Sequence, residues 1–306
     1  MKTPDDSHAT LPDSVPQLTI AGRYLVLVAA FLGWMLAGVQ MANFPLINGA
    51  MVREMQTPEV RSEVSNTSES ELRSDAAEMV RGSRSRDDQA FDAATAPLPK
   101  LIDRVTEGRI REIAGKWFGY YICAFLLGAA AGGLIFGWLG DKIGRAKAMA
   151  LSILWYSCFA GLCYFGQTLE QMLVLRFVGC LGVGGMWPTG VSLASEAWSN
   201  RSRPLLAGIF GTSANVGLAM TGALVHFRPV TEDDWRWIMA FSATPALVGV
   251  FSLFFVPESP SWKAKIGKPE SHARSTPIAT VFRPPYLSLT ILGIILGTIP
   301  LLGGWG

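Results

Sequence analysis

Gly137-Trp138-Leu139-Gly140-Asp141-Lys142-Ile143-Gly144-Arg145 is a short polar segment set between two long apolar runs, near 117–139 and 148–167. Each run is long enough, at about 1.5 Å per residue, to cross a hydrocarbon core about 30 Å thick. The types of residue between them suit a turn at a membrane surface. Glycine permits a tight turn between two helix ends, a carboxylate can meet a helix N-terminus, and arginine can meet carboxylates or lipid phosphates. The nine residues therefore read as the loop between two transmembrane helices.

Working outward, further apolar runs lie near 24–47, 171–194, 205–227 and 237–256, and another begins at Tyr286. Half of the 306 residues are apolar and 16% are charged, with a mean hydropathy of +0.31, a composition that favours a bilayer over water. The formal charge of +2 points to neither nucleic acid nor an acidic substrate, since the basic residues do not gather on one module. Six spans and the start of a seventh follow. The chain stops within apolar sequence at Leu301-Leu302-Gly303-Gly304-Trp305-Gly306, which reads as a fragment. Lys142, Arg145 and Lys147 follow the second span, Arg201 and Arg203 the fourth, and Lys263, Lys265, Lys268, Arg274 and Arg283 the sixth. Positive residues mark cytoplasmic loops, so the N-terminus is expected inside a multi-pass protein of the plasma or inner membrane. The expected organisation is a cytoplasmic tail at 1–23, a six-helix bundle at 24–260, a central cytoplasmic loop at 261–285 and the truncated seventh helix at 286–306.

Residues 48–116 interrupt this bundle between the first two spans and are expected outside as an insertion rich in both signs of charge. The stretch from Ser65 to Asp92 has the composition of poorly ordered chain. Leu98, Leu101, Ile102, Val105 and Ile113 are spaced for a short amphipathic helix lying on the membrane surface and feeding the second span.

The segment from Gly137 to Arg145 matches G-x-L-x-D-[RK]-x-G-R and so resembles the signature of the major facilitator superfamily. Two more segments agree. Arg176, Gly179, Gly182, Gly184, Gly185 and Pro188, followed by Glu196 and Arg203, look like the metabolite:H+ symporter and sugar porter branches, and Pro257-Glu258-Ser259-Pro260 with Trp262 resembles the segment those branches carry after the sixth span. The resemblance implies an all-α polytopic fold, here the N-terminal six-helix bundle of the superfamily plus the start of helix seven. It also implies a permease or symporter that moves a small organic solute, such as a sugar or carboxylate, by alternating access. Asp141, Arg145, Glu196, Arg203 and Glu258 would pair in a cytoplasmic gate, with Gly137 and Gly144 shaping the turn. A second half would be needed for function, and the only cofactor implied is a coupling ion, H+ or Na+. Three departures stand out. Ser261 occupies a usual arginine position, the first span carries Gln40 and Asn43 without the aspartate of aromatic-acid symporters, and the fifth span lacks the Gly-Pro pair of drug antiporters.

Arg176 is the charge inside an apolar span, where insertion costs about 2.5–3.5 kcal/mol and calls for a partner or an aqueous cavity. It reads as a substrate or coupling residue. Gln40, Asn43, Thr189, Thr212, Ser213 and Asn215 are the polar groups expected to line a cavity, and interhelical hydrogen bonds would explain them equally. Gly128, Gly132, Gly133, Gly179 and Gly182 are assigned to close helix packing. Cys123, Cys158, Cys163 and Cys180 read as small core residues without metal-ligand spacing. No His-rich set or Ser-His-Asp arrangement supports an enzyme. The competing class is a transporter-like receptor or interaction protein that uses residues 48–116 to bind a partner without transport.

Overall fold

The computed structural model describes residues 18–81, 96–198, 203–266, 283–284 and 286–305. The described chain is helical throughout: α1 Ile20–Ser65, α2 Glu69–Arg81, α3 Leu98–Ile143, α4 Arg145–Leu162 with a 3-10 turn at Cys163–Phe165, α5 Leu169–Ala197, α6 Arg203–Phe227, α7 Arg236–Phe241, α8 Ala246–Phe255, α9 Pro260–Ile266 and α10 Leu287–Trp305. Among the described residues, six segments are long and apolar enough to cross a membrane: α1, α3, Arg145–Phe165, α5, Leu205–Phe227 and Arg236–Phe255. Residues up to Trp262 form one compact unit and Lys263 onward a second, to which α10 belongs.

Small residues set the spacing within the first unit. A Cβ on Gly132 of α3 would lie 1.9 Å from the Leu181 carbonyl oxygen of α5, and one on Gly184 of α5 would lie 1.9 Å from that of Ala129. Backbone thus meets backbone along α3 and α5, as expected where dispersion and packing, rather than water, drive helix association. Gly128 and Gly182 are similarly close to neighbouring backbone. Gly179 faces the Phe159 Cβ at 3.2 Å, whereas Gly133 has an ordinary 3.6 Å neighbour. Gly38 and Gly217 bring α1 against α6 in the same manner.

The stretch expected to be a surface-lying amphipathic helix and disordered loop has a different structure. Rather than ending near Ile47, α1 runs through Pro45 and Pro58 to Ser65, and α3 begins at Leu98 and continues unbroken into the second span. At 46 residues each, these helices measure about 69 Å, twice what the bilayer core needs. Part of the Ser65–Asp92 stretch is α2, which seats Leu72 and Ala76 against Val60, Val64, Leu101 and Val105, all fully or nearly buried. The apolar residues recur one turn apart within charged sequence, so each helix hides one stripe and solvates the rest. Arg109 bridges Glu63 at 2.9 Å and Asp75 at 3.0 Å, and Arg61 bridges Asp103 at 2.9 Å. The remainder of that stretch, 82–92, lies outside the described residues.

Ion pairs also tie this helical extension to the α6–α7 connection. Arg53 pairs with Glu107 and with Glu232, and Glu54 accepts from both Trp235 and Arg236.

Candidate functional site

Two polar arrangements interrupt the apolar bundle. The first surrounds the turn between α3 and α4. Gly144 has φ 111° and ψ 151°, a backbone region open to glycine alone, and a Cβ there would fall 2.2 Å from Glu258 Oε2. The missing side chain lets the Glu258 carboxylate reach the start of α4. Its Oε1 accepts from the backbone N–H of Arg145 at 2.7 Å, of Ala146 at 3.0 Å and of Ser259 at 3.0 Å. A carboxylate on the exposed donors of a helix N-terminus is favoured by both hydrogen bonding and the helix dipole. The Arg145 guanidinium lies 3.0 Å from Glu196 and 3.3 Å from Asp141. Ser259 Oγ donates to the other Glu196 oxygen, and Trp262 Nε1 donates to the Asp141 carbonyl at 3.1 Å. Residues from α3, α4, α5 and the segment after α8 are thereby locked together. Gly137 plays no part in the turn: it lies inside α3, and a Cβ there would meet open space. The side chain of Arg203 lies outside the described residues.

The second arrangement is a small cavity walled by α1, α4, α5 and α7, with Gln40, Asn43, Phe44, Tyr156, Arg176 and Met239 among its lining residues. Arg176 is 7% exposed. It donates from Nη1 to the Gln40 carbonyl at 2.7 Å, its guanidinium lies 4.6 Å from the Phe44 ring centre and 5.2 Å from that of Phe125, and its Nε has no acceptor. Gln40 Nε2 donates to the Ser242 carbonyl at 2.8 Å, and Asn43 Nδ2 donates to Gln40 Oε1 and Ser242 Oγ. Ser242 is available because the sixth span breaks there. Pro245 brings no N–H, Ala246 bonds back to Ala243 rather than Ser242, and α7 gives way to α8 through four turn residues. A carbonyl released from the helix ladder needs another donor, which Gln40 supplies.

The structure thus brings Arg176, Gln40 and Asn43 around one cavity but not the other expected polar residues. Thr189 donates back to the Gly185 carbonyl and Ser213 to that of Phe210, while Thr212 and Asn215 are exposed on α6 and bond within their own helix. Of the cysteines, Cys163 and Cys180 are buried in the cavity wall, whereas Cys123 and Cys158 are on the outer surface of the bundle. Ser242, Phe44 and Tyr156 escaped sequence reasoning. The one available signal was Pro245 inside an apolar run, which frees backbone upstream of it.

Residues 26–279 match the family model described as sugar (and other) transporter. Among curated proteins, the chain is similar to the inner membrane metabolite transport protein YgcS of Escherichia coli strain K12, 35% identical over 150 residues that cover 48% of this chain and 34% of that protein. It is similar also to the putative niacin/nicotinamide transporter NiaP of Bacillus subtilis, 28% identical over 177 residues covering 58% of this chain and 43% of the relative, and to the cis,cis-muconate transport protein of Acinetobacter baylyi, 31% identical over 141 residues covering 45% and 33%. Among solved structures, the inward-open xylose transporter XylE from E. coli superposes with a TM-score of 0.51 at 18% identity, covering 93% of this chain and 58% of that one. A double tryptophan mutant of XylE gives 0.55 at 18%, covering 87% and 50%. These matches therefore span a third to somewhat over half the length of those proteins.

Proposed function

This chain belongs to the sugar (and other) transporter family of the major facilitator superfamily, and from that premise we propose that it forms one wall of a secondary transporter that moves a small organic solute by alternating access. The carrying observation is the cavity around Arg176. A buried cation and two amides, held in fixed geometry amid apolar walls, form a site for a polar solute within a membrane bundle. The relatives' names, which include metabolite, niacin/nicotinamide and muconate transport, support a small metabolite as the solute.

In this reading the Asp141–Arg145–Glu196–Glu258 cluster closes the cytoplasmic side, the N-terminus is cytoplasmic, and the α1–α2–α3 extension stands outside the membrane. A second six-helix half supplies the opposite wall, and H+ or Na+ supplies the driving force. At Gln40 and Asn43 the first span offers amides in place of the aspartate of aromatic-acid symporters, so a proton site is not expected at that position. The test is to translate the nucleotide sequence downstream of the Gly306 codon in all frames. Six further spans, in frame or after a single shift, are the expected result. Their absence would defeat transport by this chain alone and favour a binding role for the membrane bundle and its outer extension.

A further inference from the structure

The cavity has room for one water, about 20 Å³, so widening it requires a wall to move. Three walls belong to the long helices α1, α4 and α5, and the fourth is α7, six residues long and about 9 Å from end to end. Between α7 and α8, residues 242–245 are turn, bonded over three residues rather than four, and Pro245 brings no N–H. A stretch of that kind inside a helix is where hinges are commonly found. Before α7, residues 228–235 are not helical and leave slack toward α6.

Two sets of contacts hold α7 on α1. Beside the hinge, Gln40 and Asn43 bond to Ser242. At the far end, on the part of α1 that belongs to the extension, Glu54 accepts from the Trp235 indole and from Arg236, and Arg53 pairs with Glu107 and, at 3.2 Å, with Glu232. Arg236 also donates to the Gly166 carbonyl at 3.3 Å, which adds the α4–α5 turn to the group. Trp235, Ile238 and Met239 are buried in one core with Met51 and Val52 of α1. Apolar burial is non-directional, so the charged contacts fix where α7 sits. Glu54 has the larger part, because without it a buried indole N–H loses its acceptor and is satisfied only by reaching water. The ion pairs are partly exposed. Such pairs are individually weak and screened by salt, which suits a contact that is made and broken.

We propose that α7 is a hinged wall of the cavity and that Arg53 and Glu54 of the extension are its latch. Latched, α7 keeps the cavity closed to anything larger than water. Released, it swings about residues 242–245 and uncovers the cavity, with α8 and the other three walls staying in place. The insertion between the first two spans thereby controls access to the cavity, a role that stands on these contacts and is independent of whether the chain moves a solute.

The test reads Cys163, which lines the cavity and shares the core of Trp235, Ile238 and Met239, against Cys123 and Cys158 on the bundle surface. The full chain in lipid nanodiscs is treated with a water-soluble methanethiosulfonate, and labelling of each cysteine is followed by peptide mass spectrometry. Glu54→Ala is expected to speed Cys163 labelling at least about tenfold, the scale of a lost buried acceptor, with Cys123 and Cys158 unchanged. Glu54→Gln, which keeps an acceptor for the Trp235 indole, is expected to speed it less. In the unsubstituted chain, raising salt from about 0.1 M to about 1 M, which shortens the screening length about threefold, should also speed Cys163, a response that Glu54→Ala lacks. Cys163 labelling that Glu54→Ala leaves unchanged, or that rises only in step with Cys123 and Cys158, would overturn the latch. If Glu54→Ala does not fold, the salt series on the unsubstituted chain decides alone, and a Cys163 rate indifferent to salt overturns it.

Discussion

At position 144 a single methyl group would occupy the space of a carboxylate. Gly144 adopts a conformation that L-residues rarely enter, and Glu258 fills the room where a Cβ would be. Gly144→Ala should therefore cost about 1–3 kcal/mol from backbone strain, with the Glu258 clash added, and appear as a lower melting temperature in detergent. In a Glu258→Ala background the same substitution should cost less, because only the strain remains, so a full additive loss in the double variant would refute the contact. Glu258 itself offers a second check. Glu258→Gln keeps an amide oxygen for the Arg145, Ala146 and Ser259 donors, whereas Glu258→Ala leaves all three without it, at about 1–3 kcal/mol for each donor that water does not reach. The glutamine variant should melt nearer the unsubstituted chain than the alanine variant, and the opposite order would count against the cap.

Between elements, the closeness of α3 and α5 rests on a few glycines. Gly132→Ala should force the helices apart at about 1–3 kcal/mol, while Gly133→Ala, whose nearest neighbour is at 3.6 Å, should be neutral or gain part of the roughly 1 kcal/mol by which alanine exceeds glycine in a helix. Thermal melts of the pair read this directly, and equal melting temperatures would contradict the packing. In the outer extension, Leu101→Ala should cost about 2–5 kcal/mol locally and speed hydrogen exchange in α2 and the facing turns of α1 and α3, with the spans unaffected. Arg109→Ala, whose partner Glu63 is 68% exposed, should move the same protection by under about 1 kcal/mol. Exchange that rises equally in the spans would show that the extension is not a separate packing layer.

The spans themselves were legible in the sequence because a bilayer imposes length and apolarity on every residue of a crossing, and a turn such as 137–145 punctuates them. The extension was not. Val60, Val64, Leu101 and Val105 are sparse apolar residues among many charges, and what makes them a core is that the two long helices meet α2, a tertiary fact that composition obscures. In the cavity, Arg176, Gln40 and Asn43 stood out because polar groups in apolar runs need partners. Asn215 and Thr212 looked the same by that criterion but lie on an exposed face of α6, and no apolar periodicity separates the faces of a helix that is apolar on all sides. Ser242 joined the site only because the helix breaks at Pro245.

At the scale of the unit that ends at Trp262, a helical bundle carries a charged cluster at the α3–α4 turn, a helical extension at the other end of α3 and a cavity lined by the buried Arg176. Under the proposed alternating access, that cluster would open and close while the cavity stays intact. The Asp141–Arg145–Glu196–Glu258 cluster, which joins residues from several helices, is suited to that role, and Ser259 joins Arg145 in holding Glu196. The measurement that tests this most directly is counterflow of labelled sugars and labelled carboxylates, each in turn, into proteoliposomes bearing the chain together with the second six-helix half proposed for it. The account predicts, for at least one of these solutes, saturable uptake that is driven by the same unlabelled solute inside and abolished by Arg176→Gln. Uptake of none of them, or uptake undiminished in a folded Arg176→Gln protein, would contradict it.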